Sequence, residues 1–146
     1  MSTSLKKNPY LAFSFSVEIE GLVVGGFTEV TGIGATINTT EEIWEGGVND
    51  FTHQFAKYTS YPKLVLKQGL STTGALWTWF QQTVQGRIQQ KNMTLYLLGE
   101  TGDHLRSWHF FKAWPVEWQG PPFDASRSPV AIESFTLIHQ GMDFNG

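Results

Sequence analysis

The chain contains no cysteine, and only 16% of its 146 residues are charged. The first absence excludes disulfide frameworks, thiolate metal sites, iron–sulfur clusters and thiol nucleophiles together. The second lies well below the roughly 25% of typical soluble domains, so part of the apolar surface is expected to meet other protein. No run approaches the roughly 20 apolar residues of a membrane-spanning helix, and stable membrane insertion is not expected. The formal net charge is −3 and the basic residues are scattered, which leaves little attraction for a phosphate backbone and predicts no nucleic-acid sequence readout. Behind Lys6-Lys7, the polar residues Ser14, Ser16, Glu18 and Glu20 break any apolar run. That is not a signal-peptide pattern, and synthesis in the cytoplasm is expected.

Aromatic residues are abundant instead: six tryptophans and eleven phenylalanines. A chain of this length buries roughly 68–70% of its unfolded surface, so residues 1–146 are expected to form a single domain, with a short N-terminal arm at 1–9. Phe13, Phe15, Val17 and Ile19 alternate with polar residues as in a half-buried strand. Leu22 to Val24 follows, and Gly25-Gly26 is expected to break that strand before extended structure resumes at Phe27 to Val30.

Residues 35–55 are rich in Thr, Asn and Glu, with turn chemistry at Gly46-Gly47 and Asn49-Asp50; they read as a long polar hairpin. Lys63 to Lys67 reads as a strand. Residues 71–86 read as the one helix, with Leu76, Phe80 and Val84 recurring at i, i+4, i+8 and Trp77 beside them. Ser71, Thr72 or Thr73 would supply its N-cap, and Gly86 its left-handed C-terminal cap. Strands are expected at Met93 to Leu98, Leu105 to Phe111, Trp114 to Trp118 and Val130 to His139, and a tail from Gly141. The fold class is mainly β: two packed antiparallel sheets, a sandwich or partly closed barrel, with one flanking helix. The core candidates are Phe15, Val17, Leu64, Leu66, Leu76, Trp77, Phe80 and Trp108.

The sequence carries no recognisable catalytic pattern. Gly32-Ile33-Gly34 lies between strands and lacks the third glycine and the helix that a phosphate site requires. His53, His104, His109 and His139 are dispersed, without the spacing that binds one metal. Glu41, Glu42 and Glu45 sit in a polar hairpin, where solvated carboxylates are commoner than a hydrolytic pair. No cofactor or metal and no catalytic residue is therefore expected. Trp44, Trp114 and Trp118 leave a carbohydrate-binding sandwich open as a competing reading.

The hairpin at 35–55 has neither lysine nor proline to guard its edges, so neighbouring copies could extend its sheet and, with a closing rotation, build a ring. The blocks Phe15-Ser16-Val17-Glu18-Ile19-Glu20-Gly21, Gly25-Gly26-Phe27-Thr28-Glu29-Val30-Thr31-Gly32, Lys63-Leu64-Val65-Leu66-Lys67-Gln68-Gly69 and Leu76-Trp77-Thr78-Trp79 come in a particular order. They are followed by Trp114-Pro115-Val116-Glu117-Trp118-Gln119-Gly120-Pro121, Val130-Ala131-Ile132-Glu133 and His139-Gln140-Gly141. This order, from about Tyr10 to Met142, resembles the inner tube proteins of contractile phage tails and phage-tail-like injection particles. It departs from many members at Gln68, where they have arginine, and in lacking Leu-Pro-Gly between Phe51 and Tyr61.

The resemblance implies a structural subunit, not a catalyst, forming hexameric rings that stack into a conduit driven through a target envelope by sheath contraction. A tube-initiator ring near the baseplate is the alternative within the same particle. Implied partners are further copies of the chain, sheath, baseplate or initiator, tape-measure and spike proteins, with protein cargo in the lumen. The particle would act at or outside the envelope. Under this resemblance Thr36, Asn38, Thr40, Glu42 and Trp44 become candidates for a lumen-lining β-barrel. Gly46, Gly47, Asn49, Phe51, Trp114, Trp118 and Pro121 become candidates for subunit contacts.

Overall fold

The computed structural model describes residues 14–43, 52–69, 74–120 and 132–145. In chain order the elements are β1 (Phe15–Ile19), β2 (Leu22–Phe27), β3 (Glu29–Thr31), β4 (Thr36–Ile43), β5 (Thr52–Ser60), β6 (Leu64–Gly69), α1 (Ala75–Val84), β7 (Lys91–Leu98), β8 (His104–Gln119), β9 (Ile132–Ile138) and β10 (Gly141–Asn145). All pairings are antiparallel. The order β2-β1-β7-β8-β9-β6-β3 bends into two layers, with β10 also on β8, while β4 and β5 pair with each other.

Two strands turn the corners between the layers. The first half of β8 pairs with β7 and β10, and its second half with β9. It is one long strand where the sequence predicts two, because the irregular residues Lys112-Ala113 bend it without ending it. Lys112 takes φ +53° there, and its N–H is held by Asn92 Oδ1 at 3.1 Å. Switching sheets at such a bend is a standard solution for crossed layers. Pro115 is tolerated within the strand beside a bulge.

The other corner is Thr28, the one residue between β2 and β3, whose N–H and hydroxyl both donate to the Lys67 carbonyl, at 2.9 and 3.2 Å. Gly25-Gly26 does not break β2; Val17 pairs with Gly25 and Glu18 with Val23, so a bulge absorbs the irregularity. The C-terminal residues, expected as a tail, form β10 along β8, and Gln140 N–H donates to the Phe111 carbonyl at 2.9 Å.

Between the layers Val17, Phe27, Leu64, Leu66, Leu76, Trp79, Leu95, Phe110, Phe135 and Leu137 are buried, with Phe15, Phe80 and Trp108 partly buried against them. The helix corrects one assignment. Trp79 is 2% exposed and Trp77 is 38% exposed, the reverse of the expectation that put Trp77 in the core. Stripes at 76/80/84 and 76/79/83 fit helical periodicity about equally. The choice falls to the indole: Trp79 Nε1–H donates to the Gln89 carbonyl at 2.8 Å, while Lys91 Nζ lies 5.5 Å from its ring centre.

The helix starts at Ala75 with Gly74 as N-cap and no side-chain cap, so the expected Ser71, Thr72 or Thr73 cap is replaced; those three residues lie outside the described residues. Its end is as expected. Gly86 has φ +86°, and Gly86 and Arg87 N–H groups donate to the Thr83 and Gln82 carbonyls, a Schellman motif.

Trp79→Ala should cost about 3–5 kcal/mol, and Trp77→Ala markedly less, in urea unfolding; equal losses would contradict this packing. Gly32 has φ +95°, and a Cβ there would collide with the Lys63 carbonyl. Gly32→Ala should therefore destabilise by at least about 1–3 kcal/mol, read as a lower unfolding midpoint.

Candidate assembly interface

The polar hairpin is part of a larger one. β3 pairs with β6 through Thr31 and Val65, and β4 with β5 through Thr36 and Ser60. Residues 32–35 and 61–64 between these pairs match in number, so one register runs from Glu29–Lys67 at the body to Asn38–Tyr58, where a bulge shifts it by one residue before the pairing continues to Ile43–Thr52. The expected limit at residue 55 moves to Ser60. Gly32, which tolerates no side chain, and Pro62 mark where the arm leaves the body.

Pairing puts Thr36 opposite Ser60, Asn38 opposite Tyr58 and Thr40 opposite Phe55. Directly opposed residues share a face, so the face predicted to be polar also carries two aromatic rings from β5, which a reading of β4 alone could not reveal. Thr36 and Thr40 are exposed; Asn38 is half-buried and donates through Nδ2 to Ser60 Oγ at 3.0 Å. Ile37 on β4 is 62% exposed. Glu42 pairs in register with His53. Trp44, Gly46, Gly47, Asn49, Phe51 and Pro121 lie outside the described residues.

The remaining two contact candidates lie on the second half of β8. Trp114 and Trp118 are half-buried. Trp118 Nε1–H donates to Glu133 Oε2 at 3.0 Å, Gln68 Nε2 donates to Glu133 Oε1 at 3.1 Å, and the Trp118 ring meets Trp77 edge-on at 4.8 Å. Gln68, the departure from the arginine of many tube proteins, thus occupies a place where a cation would face a carboxylate. A ring held edge-on, with its N–H occupied, is poorly suited as an open sugar-stacking platform.

More informative than side chains are the edges of the layer β8-β9-β6-β3. β7 leaves β8 at Ala113, so among the described residues no strand pairs with the other side of residues 114–119. At the far side, among the described residues, β3 pairs with β6 alone and β4 with β5 alone. The sequence signal for the β8 edge was the strand expected at Trp114 to Trp118, but its neighbours could not be read from local pattern.

His139 joins β9 to β10 at the root of the arm. Its ring lies 5.0 Å from that of Tyr61 and 4.8 Å from that of Phe110. Nδ1 faces the Gly141 carbonyl at 3.0 Å, and Nε2 is buried without a hydrogen-bond partner. Burial lowers its pKa, opposed in part by the Gly141 carbonyl. The unfolded chain therefore binds the proton more readily, and stability present above the ordinary histidine pKa of 6.5 should decline as pH falls from there through the lowered folded value. Urea midpoints measured from pH 7.5 to 5 should show this fall, and His139→Gln should remove that component.

Among the described residues no group of three or more His, Asp or Glu could hold a metal ion. No described helix is long and apolar enough to cross a membrane. What the described residues offer is strand edges and exposed apolar surface.

Comparisons agree with this geometry. The fold matches a chain from the sheath-tube complex of an extracellular contractile injection system, PVC, in its extended state, at 21% identity over 100% of this chain and 99% of that one (TM-score 0.77). It also matches a chain from the anti-feeding prophage baseplate, at 24% identity over 97% and 98% (TM-score 0.76). Hcp1 from Flavobacterium johnsoniae is a more distant match, at 12% identity over 92% and 96% (TM-score 0.55). No curated protein sequence matches the chain. The family model of the T4-like virus tail tube protein gp19 matches residues 11–143, and the chain belongs to that family of tail tube proteins.

Proposed function

We propose that this tail tube protein forms hexameric rings in which the layer β8-β9-β6-β3, extended by β4 and β5, becomes one segment of a closed lumen-lining barrel. The observation that carries this reading is the pair of open edges on that layer. It has four strands, all antiparallel. An even number leaves the outer strands running in opposite directions, so β3 of one copy meets residues 114–119 of the next as an antiparallel pair. Rotation about an axis along the strands repeats that junction until it closes. Closure removes the edges, which are otherwise templates for uncontrolled association.

Rings stack through heterologous contacts into a filament with a central conduit. The arm lines this conduit and offers cargo a mixed surface, Thr36, Asn38, Thr40 and Glu42 of β4 beside the exposed rings of Phe55 and Tyr58 of β5. Trp44 is assigned to the same lumen-facing set, and Gly46, Gly47, Asn49, Phe51 and Pro121 to contacts along or between rings. Similarity to chains from sheath-tube, tube-terminator, baseplate and terminating-cap structures supports sheath and baseplate proteins as partners, in a contractile tail or injection particle acting at or outside the cell envelope. The role is mechanical and not enzymatic: the tube stays rigid while the sheath supplies the work. A baseplate-proximal initiator ring would use the same edges.

Electron microscopy of the purified chain or its parent particle should show six-fold rings or tubes. Ile37→Asp, at an exposed arm position, should leave circular dichroism unchanged and reduce ring formation in sedimentation. A chain that stays monomeric in every condition, including within its particle, would overturn the reading.

A further inference from the structure

We infer that the exposed apolar stripe of α1 receives Leu22 of a second copy, whose side chain shares the core-side face of β2 with Ile19, as an outer layer of the subunit contact. This rests on the ring reading above and names a contact that the barrel junction alone does not require.

The α1 stripe and Leu22 are both apolar and exposed; Glu18 lies opposite Val23, on the other face of β2. The α1 sequence ALWTWFQQTV carries no charged residue, although a helix on a protein surface ordinarily turns charged side chains to water. Val84 is 69% exposed, Trp77 is 38% exposed, and with Phe80 they line a shallow pocket. Leu22 and Val23, at the start of edge strand β2, are 71% and 66% exposed. Between Gly21 and Thr28 there is again no charged residue. Scattered exposed apolar residues need no explanation, but contiguous ones mark contact sites.

Topology brings the two surfaces to the same junction. Trp77 meets Trp118, on the open segment of β8, at 4.8 Å, and Phe80 continues the stripe at 5.8 Å from Trp77. The helix thus stands behind the β8 edge on the core side of its sheet, where Leu76 and Trp79 join the core. β2 stands behind the other edge on that same side, joined to β3 through Thr28. When β3 of one copy lies along β8 of the next, β2 of the first comes behind the junction toward α1 of the second. The contact is heterologous, as a ring demands. Leu22 and the α1 stripe bring no charged side chain of their own into this contact, so its strength should depend little on salt.

The natural absence of cysteine permits a direct test. In the double variant Leu22→Cys with Val84→Cys, rings treated with a short bismaleimide should give a ladder of covalent multimers on a denaturing gel, and each single variant should give almost none. Rings visible by electron microscopy that yield monomer alone, or that cross-link position 84 to sites other than 22, would overturn the inference while leaving the ring reading intact. If the cysteine-free chain forms no rings, the ring reading itself fails, and this inference with it. Independently, Val84→Glu should weaken assembly at least tenfold with unchanged circular dichroism; undiminished assembly would contradict the contact.

Discussion

Backbone hydrogen bonding at the strand edges is the constraint on which the rest of this structure depends. The strands β1, β7, β9 and β6 each have a hydrogen-bonded strand on both sides, and the two corners at Thr28 and Lys112 carry the sheet from one layer to the other. The same bends release residues 114–119 from β7 and leave β3 at the opposite margin. A domain of this size has enough core to fold, but it leaves these backbone groups to water or to another chain. In the proposed ring, assembly continues the fold by the same interaction that built it.

The low charge and the aromatic surplus take on distinct meanings within that frame. Trp79 and Phe110 close the interior. Trp118 ties β8 to β9 through Glu133 and, by its contact with Trp77, sets the helix at the open margin. A charge-free helix would be a poor choice for a solvent-facing surface, yet it suits one that another copy covers. The arm follows a similar logic: an isolated two-stranded hairpin is marginal in water, and this one continues the register of β3 and β6 into a region where neighbours can hold it.

Much of this was legible in the residues, because alternation at Phe15 to Ile19 and Leu64 to Leu66, and the left-handed glycine at position 86, act locally. The aromatic exchange between Trp77 and Trp79 was not legible, since the decision rests on a carbonyl at Gln89, outside the helix. The merging of two predicted strands into β8 escaped for the same reason: a bend held by Asn92 resembles a break in the pattern. β10 is short and half polar, and its pairing with β8 is a long-range fact. The tail tube family was legible in the order of motif blocks, while the edges proposed for the ring required the topology.

The central claim is that β3 and the second half of β8 are joined between copies by backbone hydrogen bonds. Amide hydrogen exchange on assembled rings and on dissociated subunits measures this directly. The account predicts strong protection of amides in residues 29–31 and 114–119 on assembly, in alternation along each strand as the outward-facing groups become paired. Rings in which those amides exchange as fast as in the free subunit would contradict it.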